Sequence, residues 1–62
     1  MSALRKATEA QACALNTTME CLLMAYGYAL RADCPMLAAK IRSAIKSAGG
    51  AERHMARRLR AS

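Results

Sequence analysis

The feature that most constrains the fold is the segment Asp33-Cys34-Pro35, the clearest interruption in a chain otherwise rich in helix formers. Proline disfavours helical geometry at the residue before it and is well tolerated in the first turn of a helix. We therefore expect one helix to end near Ala32 and another to begin at Pro35, with Asp33 capping the second. No stretch alternates polar and apolar residues long enough to predict a strand, so the expected fold class is all-α.

The first predicted helix covers about residues 3–32, with Ser2 as its N-cap. Its apolar residues recur in steps of three and four, the spacing of one helix face, at Ala12, Leu15, Met19, Leu22, Tyr26 and Ala29. Leu23 and Leu30 widen this stripe to the width typical of a core-facing side. Gly27 costs about 1 kcal/mol relative to Ala inside a helix, which indicates a kink or the close approach of another backbone.

The second arm is predicted to contain two helices, at about residues 35–48 and 51–60, because Gly49-Gly50 resembles a helix C-terminus. The alternative is that these glycines bend the arm without breaking it. The apolar face of the arm is Leu37, Ile41, Ala44, Ile45 and Ala48, followed by Ala51, Met55 and Leu59. At 1.5 Å per residue the arms are about 45 Å and 39 Å long. These lengths predict a single domain, residues 1–62, folded as an antiparallel helical hairpin.

The apolar content of this chain is too small in volume to form a large core. Of 62 residues, 15 are Ala, and Val, Phe and Trp are missing. We expect a second copy or a helical protein partner to complete the core, giving a helical bundle. The predicted partner-binding residues are Leu15, Met19, Leu22, Leu23, Tyr26, Leu30, Leu37, Ile41 and Ile45. An intramolecular core is an equally open interpretation of the first-helix stripe, while Met24 and Cys21 should point away from it and form a second apolar face.

The net charge of +6 makes phosphates, acidic proteins and anionic membranes conceivable partners. Basic residues concentrate near the C-terminus, at Lys46, Arg53, Arg57, Arg58 and Arg60. These five residues could bind nucleic acid, or they could form an ordinary solvated face. No aromatic residue lies among them, so any such binding would be to phosphates rather than by base stacking.

The residue types needed for catalysis or metal binding are sparse. The chain has one histidine, His54, and four carboxylates, and we expect no enzyme activity, cofactor or small-molecule substrate. Cys13, Cys21 and Cys34 lack the short spacing of metal-ligand pairs. We interpret them as buried small hydrophobes in a reducing compartment. The longest apolar stretch, Met19 to Leu30, is too short to span a bilayer. We therefore expect a cytoplasmic protein; attachment of residues 51–60 to an anionic membrane surface is a weaker alternative, because Met55 and Leu59 are the only large apolar residues there.

Two layouts resemble known families. The predicted layout begins with Met1-Ser2-Ala3-Leu4 and a long helix, continues through Cys34-Pro35 to a helix of about fourteen residues, and ends with a short helix after Gly49-Gly50. This layout resembles that of the small "E" co-chaperones of type III secretion needle subunits. That resemblance implies a heterocomplex with a second chaperone and the needle subunit. The hairpin is also similar in architecture to Rop-type proteins, which dimerise into four-helix bundles and bind RNA loops. The expected function is thus a small non-enzymatic interaction module, an adaptor, co-chaperone or regulator; the alternative is a nucleic-acid-binding regulator.

Overall fold

Two helices packed against each other as an antiparallel hairpin make up the computed structural model, which describes residues 7–60. Helix α1 spans Glu9–Arg31 and helix α2 spans Pro35–Arg60, with 23 and 26 residues respectively. No strand occurs within the described range. The all-α class and the hairpin architecture are therefore confirmed.

The start of α1 is set by a capping box. The Thr8 hydroxyl accepts a hydrogen bond from the Gln11 amide, and the Thr8 amide donates to Gln11 Oε1, each at 3.0 Å. This reciprocal pair satisfies two of the amide groups that a helix N-terminus leaves without partners. Ser2 lies outside the described residues, but Ala7 and Thr8 are not helical. The predicted continuous helix from residue 3 is therefore wrong at these two positions, because the capping box directs the chain into the helix only after Thr8.

The end of α1 is a Schellman motif. The Cys34 amide donates to the Ala29 carbonyl at 3.0 Å, and the Asp33 amide donates to the Leu30 carbonyl at 3.1 Å. This motif requires a left-handed residue just past the C-cap, and Asp33 supplies it with a φ of 57°. The predicted turn is thus confirmed, but the predicted role of Asp33 as the cap of α2 is wrong.

The start of α2 is built from the next residues in the chain. The Cys34 carbonyl accepts a hydrogen bond from the Ala38 amide at 2.9 Å, and Pro35 is the first helical residue. Proline at this position loses no hydrogen bond, because the first amides of a helix have no intrahelical acceptor.

Helix α2 continues through Gly49 and Gly50 without interruption. The predicted third helix is therefore wrong: residues 51–60 belong to α2. Two glycines cost about 2 kcal/mol relative to alanine. A break would forgo backbone hydrogen bonds and the packing of Met55 and Leu59, which lie beside α1 in a groove of about 230 Å³ at the open end of the hairpin.

The contact between the helices is made by a narrow stripe. In α1 its members are the predicted residues, all of them buried or partly buried: Ala12, Leu15, Met19, Leu22, Tyr26 and Ala29. The buried residues among those described are all alanines, namely Ala7, Ala29, Ala38 and Ala48. The radius of gyration is 14.2 Å, compared with about 10.6 Å for a compact chain of this length. The hairpin is therefore an elongated plate without a core of large side chains.

Candidate protein-interaction surface

The predicted partner-binding residues divide into two groups in the structure. One group faces the other helix of the hairpin and is partly buried: Leu15, Met19, Leu22, Tyr26, Ile41 and Ile45. The other group is exposed: Leu23, Leu30 and Leu37. The first group lies at the intramolecular contact, and the second group is the more exposed of the two.

The exposed group departs from the predicted core-facing pattern. Leu23 and Leu30 lie at the flank of the α1 stripe and are exposed by 54% and 53%. Leu37 is exposed by 52%, and its neighbour Ala38 is buried in its place, at 3%. The tight turn brings the first turn of α2 close to α1, where the small side chain of Ala38 fits.

A cluster of large apolar side chains is exposed at the turn end of the hairpin. We call it the turn-end surface; it consists of Leu23, Met24, Tyr28, Leu30, Met36 and Leu37, exposed by 52–75%. The prediction that Met24 and Cys21 point away from the main stripe is confirmed. Apolar residues collected in this way at one end of a small protein are typical of an interaction site.

A depression of about 250 Å³ lies in the α1 part of this surface. Met24, Gly27, Tyr28 and Arg31 surround it, with Leu23 at its edge. Residues at i, i+3, i+4 and i+7 form the four-residue hole that receives a side chain in knobs-into-holes packing. An added Cβ on Gly27 would meet nothing within 4 Å. The close approach predicted at Gly27 is therefore not made by any described part of the chain.

The rim of this depression is ordered by a cation–π contact. The Arg31 guanidinium carbon lies 5.4 Å from the centroid of the Tyr28 ring. Such contacts are worth about 0.5–1 kcal/mol at exposed sites. The contact holds a positive charge at one end of the apolar depression.

The continuity of α2 also arranges its basic residues. At 100° per residue, five of them fall within an arc of about 60° on one side of the helix. We call this set the basic stripe: Arg42, Lys46, Arg53, Arg57 and Arg60, all of them exposed. Arg42 was not predicted as a site residue, because the predicted set was limited to the basic residues concentrated near the C-terminus. Arg58 belongs to the predicted set but points away from the stripe and is partly buried.

Glycines separate the two halves of the basic stripe. Ideal Cβ atoms on Gly49 and Gly50 would lie 3.9 Å and 3.8 Å from the guanidinium nitrogens of Arg53. These are ordinary contacts with a flexible side chain, so the packing of the chain itself does not require glycine at either position. Arg53, Arg57 and Arg60 line a second depression, of about 480 Å³.

The three cysteines differ from the prediction. Cys13, Cys21 and Cys34 are free and exposed, so the interpretation as buried small hydrophobes is wrong. Cys13 and Cys21 lie off the stripe that faces α2, and Cys34 lies in the turn. Between residues 7 and 60 no three potential ligands come together as a metal site. His54 is exposed.

Comparison with known proteins gives no match: no family model, curated protein or solved structure matches this chain. Neither α1 nor α2 contains a stretch both long enough and apolar enough to cross a membrane.

Proposed function

We propose that this chain is a small non-enzymatic protein-interaction module, an adaptor, co-chaperone or regulator, that binds a helical partner or a second copy through its turn-end surface. The observation that carries the proposal is that the small apolar side chains are buried and the large ones are exposed. Among residues 7–60 the buried residues are alanines, whereas six large apolar side chains are exposed by at least 52%.

The energetics favour a covered surface. Burying a large apolar side chain stabilises a protein by about 1.5–3 kcal/mol. The side chains of the turn-end surface do not gain this stabilisation in the isolated hairpin. The chain exposes 4900 Å², whereas a compact monomer of its mass would expose about 3900 Å². The excess is similar to the roughly 800 Å² that each partner buries in a standard protein–protein interface.

The test replaces apolar residues of the turn-end surface with aspartate. Met24→Asp and Leu30→Asp place a charge within the surface and leave the stripe facing α2 intact. Thr18→Asp is the control, since it adds the same charge at an exposed position of α1 about 120° around the helix from Met24. We expect the first two variants to lose self-association in sedimentation velocity, or to lose a stoichiometric protein partner in affinity capture, while circular dichroism shows an unchanged helix content.

The control should retain every association of the unmodified chain. Loss of binding in all three variants alike, or a chain that stays monomeric and captures no protein partner, would refute the proposed function.

The basic stripe favours a second candidate function, nucleic-acid binding through phosphates. Its five cations extend over about 27 Å of one helix side, which suits several successive phosphates better than a single small anion. Because no aromatic side chain lies among them, the expected binding is independent of sequence and falls steeply with salt.

A matched pair of lysines tests this second candidate. Lys46→Gln removes a charge from the stripe, whereas Lys40→Gln removes the same charge from a part of α2 about 120° away around the helix. Binding to a short RNA duplex should weaken for Lys46→Gln, with the log–log salt slope reduced by about 1. Equal effects of the two substitutions, or binding that does not depend on salt, would exclude the stripe as the site.

The co-chaperone role implied by the layout stays a prediction within this proposal. A secretion-needle subunit is one member of the class of helical partners that the turn-end surface could bind.

A further inference from the structure

Building on the proposed function, we infer that the partner at the turn-end surface is a second copy of this chain, with the two α1 helices packed antiparallel. Glu20 of each copy faces Arg31 of the other, and Met24 of each copy enters the depression above Gly27 of the other.

The four residues lie on one side of α1. Glu20, Met24, Gly27 and Arg31 fall within an arc of about 60°, on the side of the helix opposite the stripe that packs on α2. Glu20, Met24 and Arg31 are exposed and Gly27 is partly exposed. Helix α1 would thus lie between α2 of its own copy and α1 of the second copy.

A single register satisfies both contacts. In an antiparallel pair related by a two-fold axis, facing residues have numbers that add to a constant. The pairs Glu20 with Arg31 and Met24 with Gly27 give the same constant, 51. A parallel pair would instead place Glu20 against Glu20 and Arg31 against Arg31, and like charges in contact oppose association.

The contacts are complementary in shape as well as in charge. The depression of about 250 Å³ has the outline of a knobs-into-holes site, and methionine is an unbranched, flexible side chain suited to filling such a gap. One surface supplies both the protruding side chain and the hole, and both the acid and the base. Self-complementarity of this kind is what an isologous interface requires.

The charged residues are available for this pairing. Within residues 7–60, Glu20 forms no ion pair, and the contact of Arg31 is with the Tyr28 ring. That ring contact holds the guanidinium beside the depression without neutralising its charge. Such a dimer explains why position 27 is a glycine, because any side chain there would occupy the hole. The isolated hairpin does not explain it.

A charge-exchange experiment on the full chain tests the register. Glu20→Arg alone sets two arginines against each other in both pairs, and Arg31→Glu alone sets two glutamates against each other. We expect each variant to dimerise at least about tenfold more weakly than the unmodified chain in sedimentation equilibrium, since two favourable pairs become repulsive. The double variant restores opposite charges in both pairs and should recover the dimer to within about threefold.

An equimolar mixture of the two single variants gives an independent check of the same register. A mixed dimer joins one copy of each variant, so the arginines at positions 20 and 31 of the Glu20→Arg copy face the glutamates at positions 31 and 20 of the Arg31→Glu copy. The mixture should therefore dimerise more strongly than either single variant alone. Recovery in the double variant and in the mixture, but in neither single variant alone, is therefore the expected pattern. A double variant as weak as the single ones overturns the antiparallel register.

Substitution of Gly27 gives a second readout, in which helix content and dimerisation change in opposite directions. Gly27→Leu should raise the helix content of α1 and weaken the dimer at least about tenfold, because the side chain fills the hole. Gly49→Ala is the control; it should raise helix content and leave the dimer unchanged. A dimer that tolerates Gly27→Leu overturns the inference.

The outcomes separate this inference from the proposed function. A chain that stays monomeric but retains a protein partner sensitive to Met24→Asp overturns the second copy as occupant and leaves the interaction module standing. A chain with neither a dimer nor a partner refutes both proposals.

Discussion

At the scale of single residues, Asp33 shows how a turn is held by one backbone conformation. Its φ of 57° lies in the left-handed region, which costs most residues about 1–2 kcal/mol, and aspartate somewhat less. We expect Asp33→Gly to raise the free energy of unfolding by about 0.5 kcal/mol and Asp33→Val to lower it by about 1 kcal/mol or more. Urea denaturation at one fixed protein concentration measures both, and a valine variant as stable as the unmodified chain would contradict this account of the turn.

The same scale includes the cap of α1. Thr8→Ala removes the hydroxyl that accepts from the Gln11 amide and should lower the free energy of unfolding by about 1 kcal/mol. Thr17→Ala is the matched control: it lies exposed inside α1, where alanine is the better helix former, so stability should rise by a few tenths of a kcal/mol. Faster hydrogen exchange at Gln11 in the Thr8 variant alone would locate the effect at the cap.

The sequence contains signals for both the turn at Asp33 and the N-terminal cap of α1, but for each of them it also permits an alternative. Thr8 and Gln11 have the spacing of a capping box, but Ser2 is also a residue type that favours the N-cap, and the sequence alone does not decide between them. The turn at Asp33-Cys34-Pro35 is predictable because proline restricts the residue before it. The left-handed role of Asp33 is harder to predict, since the same residue type also favours N-caps.

At the scale of the helix, α2 shows why Gly49 and Gly50 are ambiguous in sequence. Glycine pairs commonly end helices, but a helix persists through them when hydrogen bonds and packing on both sides outweigh a cost of about 1 kcal/mol each. Here Ile45, Met55 and Leu59 remain on the side facing α1 only if the helix is continuous. That register also aligns the basic stripe, which could not be predicted from an arm divided in two.

The effect of the double substitution Gly49→Ala/Gly50→Ala can be predicted from the continuity of α2. The added methyl groups meet only the guanidinium of Arg53, at 3.8–3.9 Å, so we expect the free energy of unfolding to rise by about 1–2 kcal/mol. Chemical denaturation followed by circular dichroism measures the change. Destabilisation would show that α2 bends at the glycines in a way that alanine does not permit.

At the scale of the whole molecule, the stripe between the helices was predictable from its 3.6-residue periodicity, whereas the division of apolar residues between inside and outside was not. Periodicity predicts an apolar stripe about 100° wide but not which residues at its edges are covered, and Leu23, Leu30 and Leu37 lie at the edges of their faces. Which edge residue is covered depends on the distance and angle between the helices, and these are set by the buried alanines.

If the elongated hairpin dimerises, the stability of its folded state should depend on protein concentration. If the dimer is the species that buries the turn-end surface, the free energy of unfolding depends on protein concentration through mass action. It rises by up to about 1.4 kcal per mole of dimer for each tenfold rise in protein concentration. For a chain of this size we expect the melting temperature to rise by several degrees over that range. Met24→Asp should lower the melting temperature and remove its dependence on concentration, because the charge opposes burial of the interface. Thr18→Asp should keep that dependence. A melting temperature of the unmodified chain that is the same at all concentrations would mean that the hairpin folds and persists as a monomer, held by the contact between α1 and α2 alone.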